Sequence, residues 1–177
     1  MRLVLRTLDG LYRVCSFLAC TFLASIALLV VLQVATRLLG ILWEGLIDYA
    51  TYAMVASAFL GLGPALKRGA HIRVTLLIGA VRGERRRALE ILCLLVGSGL
   101  MAYLAWYCIL LTLESWQFGY RSVGLAATPL WIPQAAMTFG AVVATVAFLD
   151  ELLRTLFAGV PAPAAEAGPD ARLVDHG

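Results

Sequence analysis

Four cysteines and two histidines are the residues of this chain best suited to redox, haem or metal chemistry. Thiol–disulfide exchange needs paired thiolates that are accessible and able to meet. Cys15 and Cys20 lie near one end of an apolar run, while Cys93 and Cys108 share another run about four turns apart at 3.6 residues per turn. A membrane disulfide relay would need its cysteines in extracytoplasmic loops, and this placement does not supply them. Haem held inside a membrane bundle needs opposed histidines within the spans, yet His71 falls in a basic connection and His176 in the tail. A proton-coupled exchanger needs a carboxylate at membrane depth, and none of the long apolar runs contains one. Phosphate-binding loops, nucleophile elbows and metal-ligand clusters are missing as well. The chain is therefore expected to be no enzyme, to carry no cofactor or metal and to bind no nucleic acid.

The elements around these residues are those of a membrane protein. The chain has 177 residues, 62% of them hydrophobic and 14% charged, where soluble domains carry about 25% charged residues. Runs of 23, 18, 23 and 28 residues lack any charge between Arg13 and Arg37, Asp48 and Lys67, Glu90 and Glu114, and Arg121 and Asp150. A helix crosses the hydrocarbon core with roughly 17 to 25 apolar residues. The expected fold is all-α, with four transmembrane helices over about residues 14–36, 46–66, 90–113 and 130–153. Together they make one membrane domain over residues 1–157. Residues 158–177, rich in Ala, Pro and Gly with scattered charges, are expected to be a disordered tail. The first apolar run exceeds the 7 to 15 or so residues of a signal-peptide core, so it is expected to remain as an anchor.

Charge sets the expected orientation, because positive residues resist translocation. Arg2, Arg6 and Arg13 precede the first span, and Lys67, Arg68, Arg73, Arg82, Arg85, Arg86 and Arg87 lie between the second and third. The other two connections hold only Arg37 and Arg121 as basic residues, alongside Glu44, Asp48 and Glu114. Both termini and the 67–87 connection are expected to be cytoplasmic, where the basic side chains meet anionic headgroups. The stretch "HIRVTLLIGAV" in that connection is too short to span and too apolar for a free loop. It is expected to lie in the interface or against another membrane subunit.

Helices in lipid associate through close backbone approach and scarce hydrogen bonds. Ala53, Ser57 and Gly61 form one small-residue stripe at fourfold spacing, and Ala136, Gly140 and Ala144 form another. Gly97, Gly99, Ala102 and Ala105 add small residues to the third span. These stripes are expected to serve internal helix packing first and partner docking second. Trp43, Trp106, Trp116 and Trp131 are candidates for interfacial anchors. Arg37, Glu44 and Asp48, near the outer ends of spans one and two, are expected to form a charge cluster that holds the hairpin, with their long side chains reaching water.

The segment "WEGLIDYATYAMVASAFLGLGPALKRGAHIRVTLL" resembles the signature of the small membrane subunit, DctQ-like, of tripartite ATP-independent periplasmic (TRAP) transporters. The family's four spans, an arginine closing the first, an acidic residue opening the second, and an F-L-G followed by H-I-x-V fall on Arg37, Glu44, Phe59, Leu60, Gly61, His71, Ile72 and Val74. "GYRSVGLAATPLWIP" resembles its approach to the last span, on Gly119, Gly124, Thr128, Trp131 and Pro133. Gly45 and Thr75 stand where the family often has further acidic residues.

The resemblance implies an inner-membrane subunit that braces a large integral transport subunit. That subunit would take up an organic acid, delivered by a periplasmic solute-binding protein, on an ion gradient. Candidate contacts with the large subunit or with lipid are Arg37, Glu44, Asp48, Gly61, Lys67, Arg68, His71 and Arg73. The small subunit of a tripartite tricarboxylate system and a stand-alone four-helix membrane protein remain alternatives.

Overall fold

The structure is a computed structural model that describes residues 2–41, 43, 45–67, 84–124 and 126–158, the backbone alone at 2–6, 84–87 and 158. It contains the helices α1 (Arg2–Leu38), α2 (Leu46–Lys67), α3 (Glu84–Gln117) and α4 (Trp131–Ala158). All four are long and apolar enough to cross a membrane. At 1.5 Å per residue, the 22 residues of α2 extend about 33 Å, close to the roughly 30 Å of the hydrocarbon core. The 37 residues of α1 and 34 of α3 exceed it by about 20 Å or more, so these helices tilt or protrude. A charge does not stop a helix, which is why both run past their charge-free segments.

The helix ends have identifiable causes. At the end of α1, Gly40 takes φ +73°, Ile41 N–H donates to Thr36 O at 2.9 Å, and Gly40 N–H donates to Arg37 O at 3.2 Å. This double closure satisfies carbonyls the helix leaves open and favours a residue without a Cβ at the left-handed position. After α3, Gly119 takes the same left-handed position, with φ +63°, and Tyr120 N–H repeats the outer bond, donating to Ser115 O at 3.1 Å. In the first turn of α4, Pro133 lacks only an N–H that would have no helical acceptor.

The helices pack as α1 on α2, α2 on α4, and α4 on α3. Their spatial order is therefore α1–α2–α4–α3, an open row with α1 and α3 at its edges, and α2 and α4 form the middle. Tyr12, Cys15, Ala56, Leu60, Val143 and Ala147 build one core cluster across α1, α2 and α4. Ala105, Cys108 and Ala141 build a second with Phe59 and Met137, joining α3 to the row. Small side chains dominate these contacts, while Phe17, Leu28, Trp106 and Phe157 point outward. Such a distribution suits lipid surroundings, where tight packing rather than apolar burial drives helices together.

Candidate functional site

The described charges that meet one another gather at the end of the row that carries both helix termini. Lys67, the last residue of α2, extends Nζ to Asp9 Oδ1 of α1 at 2.6 Å and lies 4.0 Å from Asp150 Oδ2 of α4. Arg154, one turn beyond Asp150 on α4, places Nε 3.1 Å from the same Asp150 oxygen. The Lys67 ammonium also lies 4.6 Å from the centroid of the Tyr12 ring, a distance suited to cation–π attraction. One lysine thus ties three helices together.

At the opposite end the polar link is Asp48, in the first turn of α2. Its Oδ2 accepts the Ala126 N–H of the α3–α4 connection at 3.1 Å. Arg37 is exposed in the last turn of α1, and among the described residues it forms no ion pair with Asp48. Glu44, Arg68, His71 and Arg73, and with them the expected interfacial segment after α2, lie outside the described residues. So does the expected tail.

Between the two ends, close backbone approach and hydroxyl bonds hold the row. A Cβ built at Gly140 would fall 2.5 Å from Phe59 C and 2.8 Å from Leu60 N, so α4 rests directly on the backbone of α2. At Gly63 the nearest atom would be Val143 Cγ1, at 3.1 Å. Ala53 and Ala144 are buried, Ser57 is half-buried, and Ala136 packs against the first core cluster. Gly61 faces α1, where Ala19 Cβ would be 4.0 Å from an added Cβ. Across α3 and α4, Thr112 and Thr138 hydroxyls share a hydrogen bond at 2.8 Å, and Thr138 also donates to Cys108 O at 3.0 Å. These hydroxyls are satisfied locally.

Sequence reasoning missed the network around Asp9, Asp150 and Arg154, having treated the end charges as topology signals. The available sign was spacing: Asp150 and Arg154 are four apart, the i,i+4 arrangement that pairs on a helix surface. The partnership with Lys67 required knowing that α2 and α4 are neighbours.

Two shallow grooves open on the flanks, one of about 330 Å³ between α1 and α2 and one of about 360 Å³ between α3 and α4. Their linings are almost entirely apolar; Gln33 contributes a buried Oε1 without a hydrogen-bond partner to the first. Among the described residues no group of three His, Cys, Asp or Glu side chains is placed to hold a metal ion.

No curated protein matches the chain. Residues 26–158 match the family model described as "Tripartite ATP-independent periplasmic transporters, DctQ component". The match begins within α1 and ends with α4, so it covers most of the chain and most of the helix row. Four apolar helices and this match make the protein a multi-pass component of the inner membrane, and the chain belongs to the DctQ component family of TRAP transporters.

Proposed function

We propose that the chain is a structural subunit. It braces a large integral transport subunit, which carries an organic acid on an ion gradient after delivery by a periplasmic binding protein. The supporting observation is where the described ionisable groups pair. Asp9, Lys67, Asp150 and Arg154 pair with one another at one end of the row, and Asp48 bonds a backbone amide at the other. Replacing a charged solute's water at membrane depth needs polar groups along the path, since an uncompensated buried charge costs several kcal/mol. The threonines between the two ends bond to each other and to helix carbonyls.

Proteoliposomes test the proposal. Vesicles holding this chain alone are expected to accumulate no solute under an imposed gradient. Uptake is expected only when the large subunit is present and the binding protein is added outside. Gradient-driven accumulation by the chain alone would overturn the reading.

We further propose that both termini face the cytoplasm, on the strength of the basic residues before the first span and in the 67–87 connection. A green fluorescent protein fused after Gly177 should fluoresce, and alkaline phosphatase fused there should be inactive. The reverse pair of results would refute this orientation.

A further inference from the structure

The connection between α3 and α4 is folded. Leu130 N–H donates to Tyr120 O at 3.0 Å and Ser122 N–H to Thr128 O at 2.9 Å, closing a small antiparallel bridge at Arg121 and Pro129. Inside it, Ala127 N–H donates to Gly124 O at 3.2 Å, and Gly124 N–H to Ser122 Oγ at 3.1 Å. Ala127 holds φ 42°, a left-handed conformation that non-glycine residues adopt only when their surroundings impose it.

The fold of this loop is joined to α2. Besides the Asp48–Ala126 bond, a Cβ at Gly45 would come within 3.2 Å of Ala126 Cβ. Any side chain at Gly124 would run into the Asp48 carboxylate. The loop therefore lies across the start of α2 and does not project from the end of the row. A 22-residue helix is as long as the hydrocarbon is thick, so α2 in crossing it would bring its first turn to the hydrocarbon boundary, and the loop bonded there would share that depth.

What the loop exposes at that depth is specific. Phe118 and Tyr120 stack with ring centroids 5.7 Å apart and remain exposed. Val123 is wholly exposed, and Arg121 is exposed beside it. Trp116, also exposed, meets Trp131 edge-on at 4.7 Å where the two helices enter the loop. Residues 115–149 contain no carboxylate. The Asp48 carboxylate that reaches the loop is taken up by the Ala126 N–H, and the aromatic rings, apolar tip and single guanidinium suit the layer where acyl chains give way to phosphate headgroups.

We propose that the loop formed by residues 118–124 and 126–130 is a preformed lipid-surface contact, laid into the headgroup interface with Asp48 as its positioning residue. Phe118, Tyr120 and Val123 enter the interface, and Arg121 meets lipid phosphate. This holds whichever way the chain is oriented and whatever its role in transport.

The test uses the complex assembled with its partner subunits, in nanodiscs of phosphatidylethanolamine and phosphatidylglycerol. Cys20 and Cys93, the exposed cysteines, are replaced by serine, and a nitroxide is attached through V123C. Oxygen concentrates in lipid and a nickel chelate stays in water, so the ratio of their collision rates with the nitroxide reports its surroundings. The expected result is a ratio favouring oxygen. Asp48→Ala should shift that ratio several-fold toward nickel, while Asp48→Asn, which keeps an acceptor for Ala126 N–H, should leave it unchanged. A label open to nickel in the otherwise native chain would place the loop in water, and one shielded from both reagents would place it under protein. Either result overturns the proposal, as does an unchanged ratio in assembled Asp48→Ala. If Asp48→Ala does not assemble, the label in the native background still decides where the loop lies.

Discussion

Gly140→Ala is expected to push α2 and α4 apart and to remove most of the folded chain from the membrane. The added methyl would meet main-chain atoms, at 2.5 Å from Phe59 C, 2.7 Å from Phe59 O and 2.8 Å from Leu60 N. No rotamer change relieves a clash with backbone, so one helix must move as a body. Overpacking typically costs about 1–3 kcal/mol where side chains can yield, and here the cost should reach or exceed the upper end of that range. The interface affected joins the two middle helices of the row, and both core clusters draw on it. Two other glycines grade the effect. At Gly97 the same methyl would come 2.7 Å from the edge of the Phe148 ring, which can tilt, so Gly97→Ala should cost less. At Gly99 nothing lies within 4 Å, and Gly99→Ala should be neutral or slightly stabilising. Thermal midpoints read by size exclusion of detergent-solubilised protein, together with the amount of chain in membranes, would show the ranking. Equal behaviour of Gly140→Ala and Gly99→Ala would refute this account of the α2–α4 contact.

Gly140 also shows how far the sequence can be read. Its spacing with Ala136 and Ala144 marks a stripe on which a neighbour can rest, because small residues four apart share a helix face. Four charge-free runs mark four helices, since length and apolarity alone decide whether a helix can span. Neither pattern says which helix lies against which stripe. The order α1–α2–α4–α3 follows from side-chain fit over whole interfaces, and local periodicity carries no trace of that.

Polar pairings were less legible for the same reason. Asp48 looked like a partner for Arg37, its neighbour across a short turn. Instead its carboxylate bonds a backbone amide 78 positions away, in a loop that reaches it because α4 packs beside α2. Arg121 reads as an ordinary connection charge until the loop's bonds fix where it stands. The family resemblance, resting on residues from Arg37 to Pro133, was legible because short patterns survive in sequence without any knowledge of packing; the match over residues 26–158 covers the same region.

Lys67→Glu is expected to open the end of the row that carries the helix termini, and the loss should be partly restored by adding Asp9→Lys. The native ammonium stands between two carboxylates, 2.6 Å from Asp9 and 4.0 Å from Asp150. Reversing its sign places three carboxylates around one point, and among the described ion pairs Arg154 alone is left to offset them. Lys67→Met should do less harm. It leaves Asp150 with Arg154, and the pair it breaks is partly in water, with Lys67 and Asp9 side chains 28% and 57% exposed, where solvent weakens ion pairs. The basic residues of this region also bear on orientation, so a defect in Lys67→Glu alone could arise from altered insertion or from the broken contact. Asp9→Lys alone separates these causes, and the double substitution answers to both. Lys67→Glu with Asp9→Lys keeps the count of positive charges at this end, and it also restores an opposite-charge pair between α1 and α2. Restoration should be incomplete because Glu at position 67 still faces Asp150. Asp9→Lys alone adds a positive charge and favours the native orientation, yet it sets two ammonium groups against each other and should lower stability. If Asp9→Lys alone is harmless, Lys67 acts through topology and the three-helix clasp contributes nothing measurable.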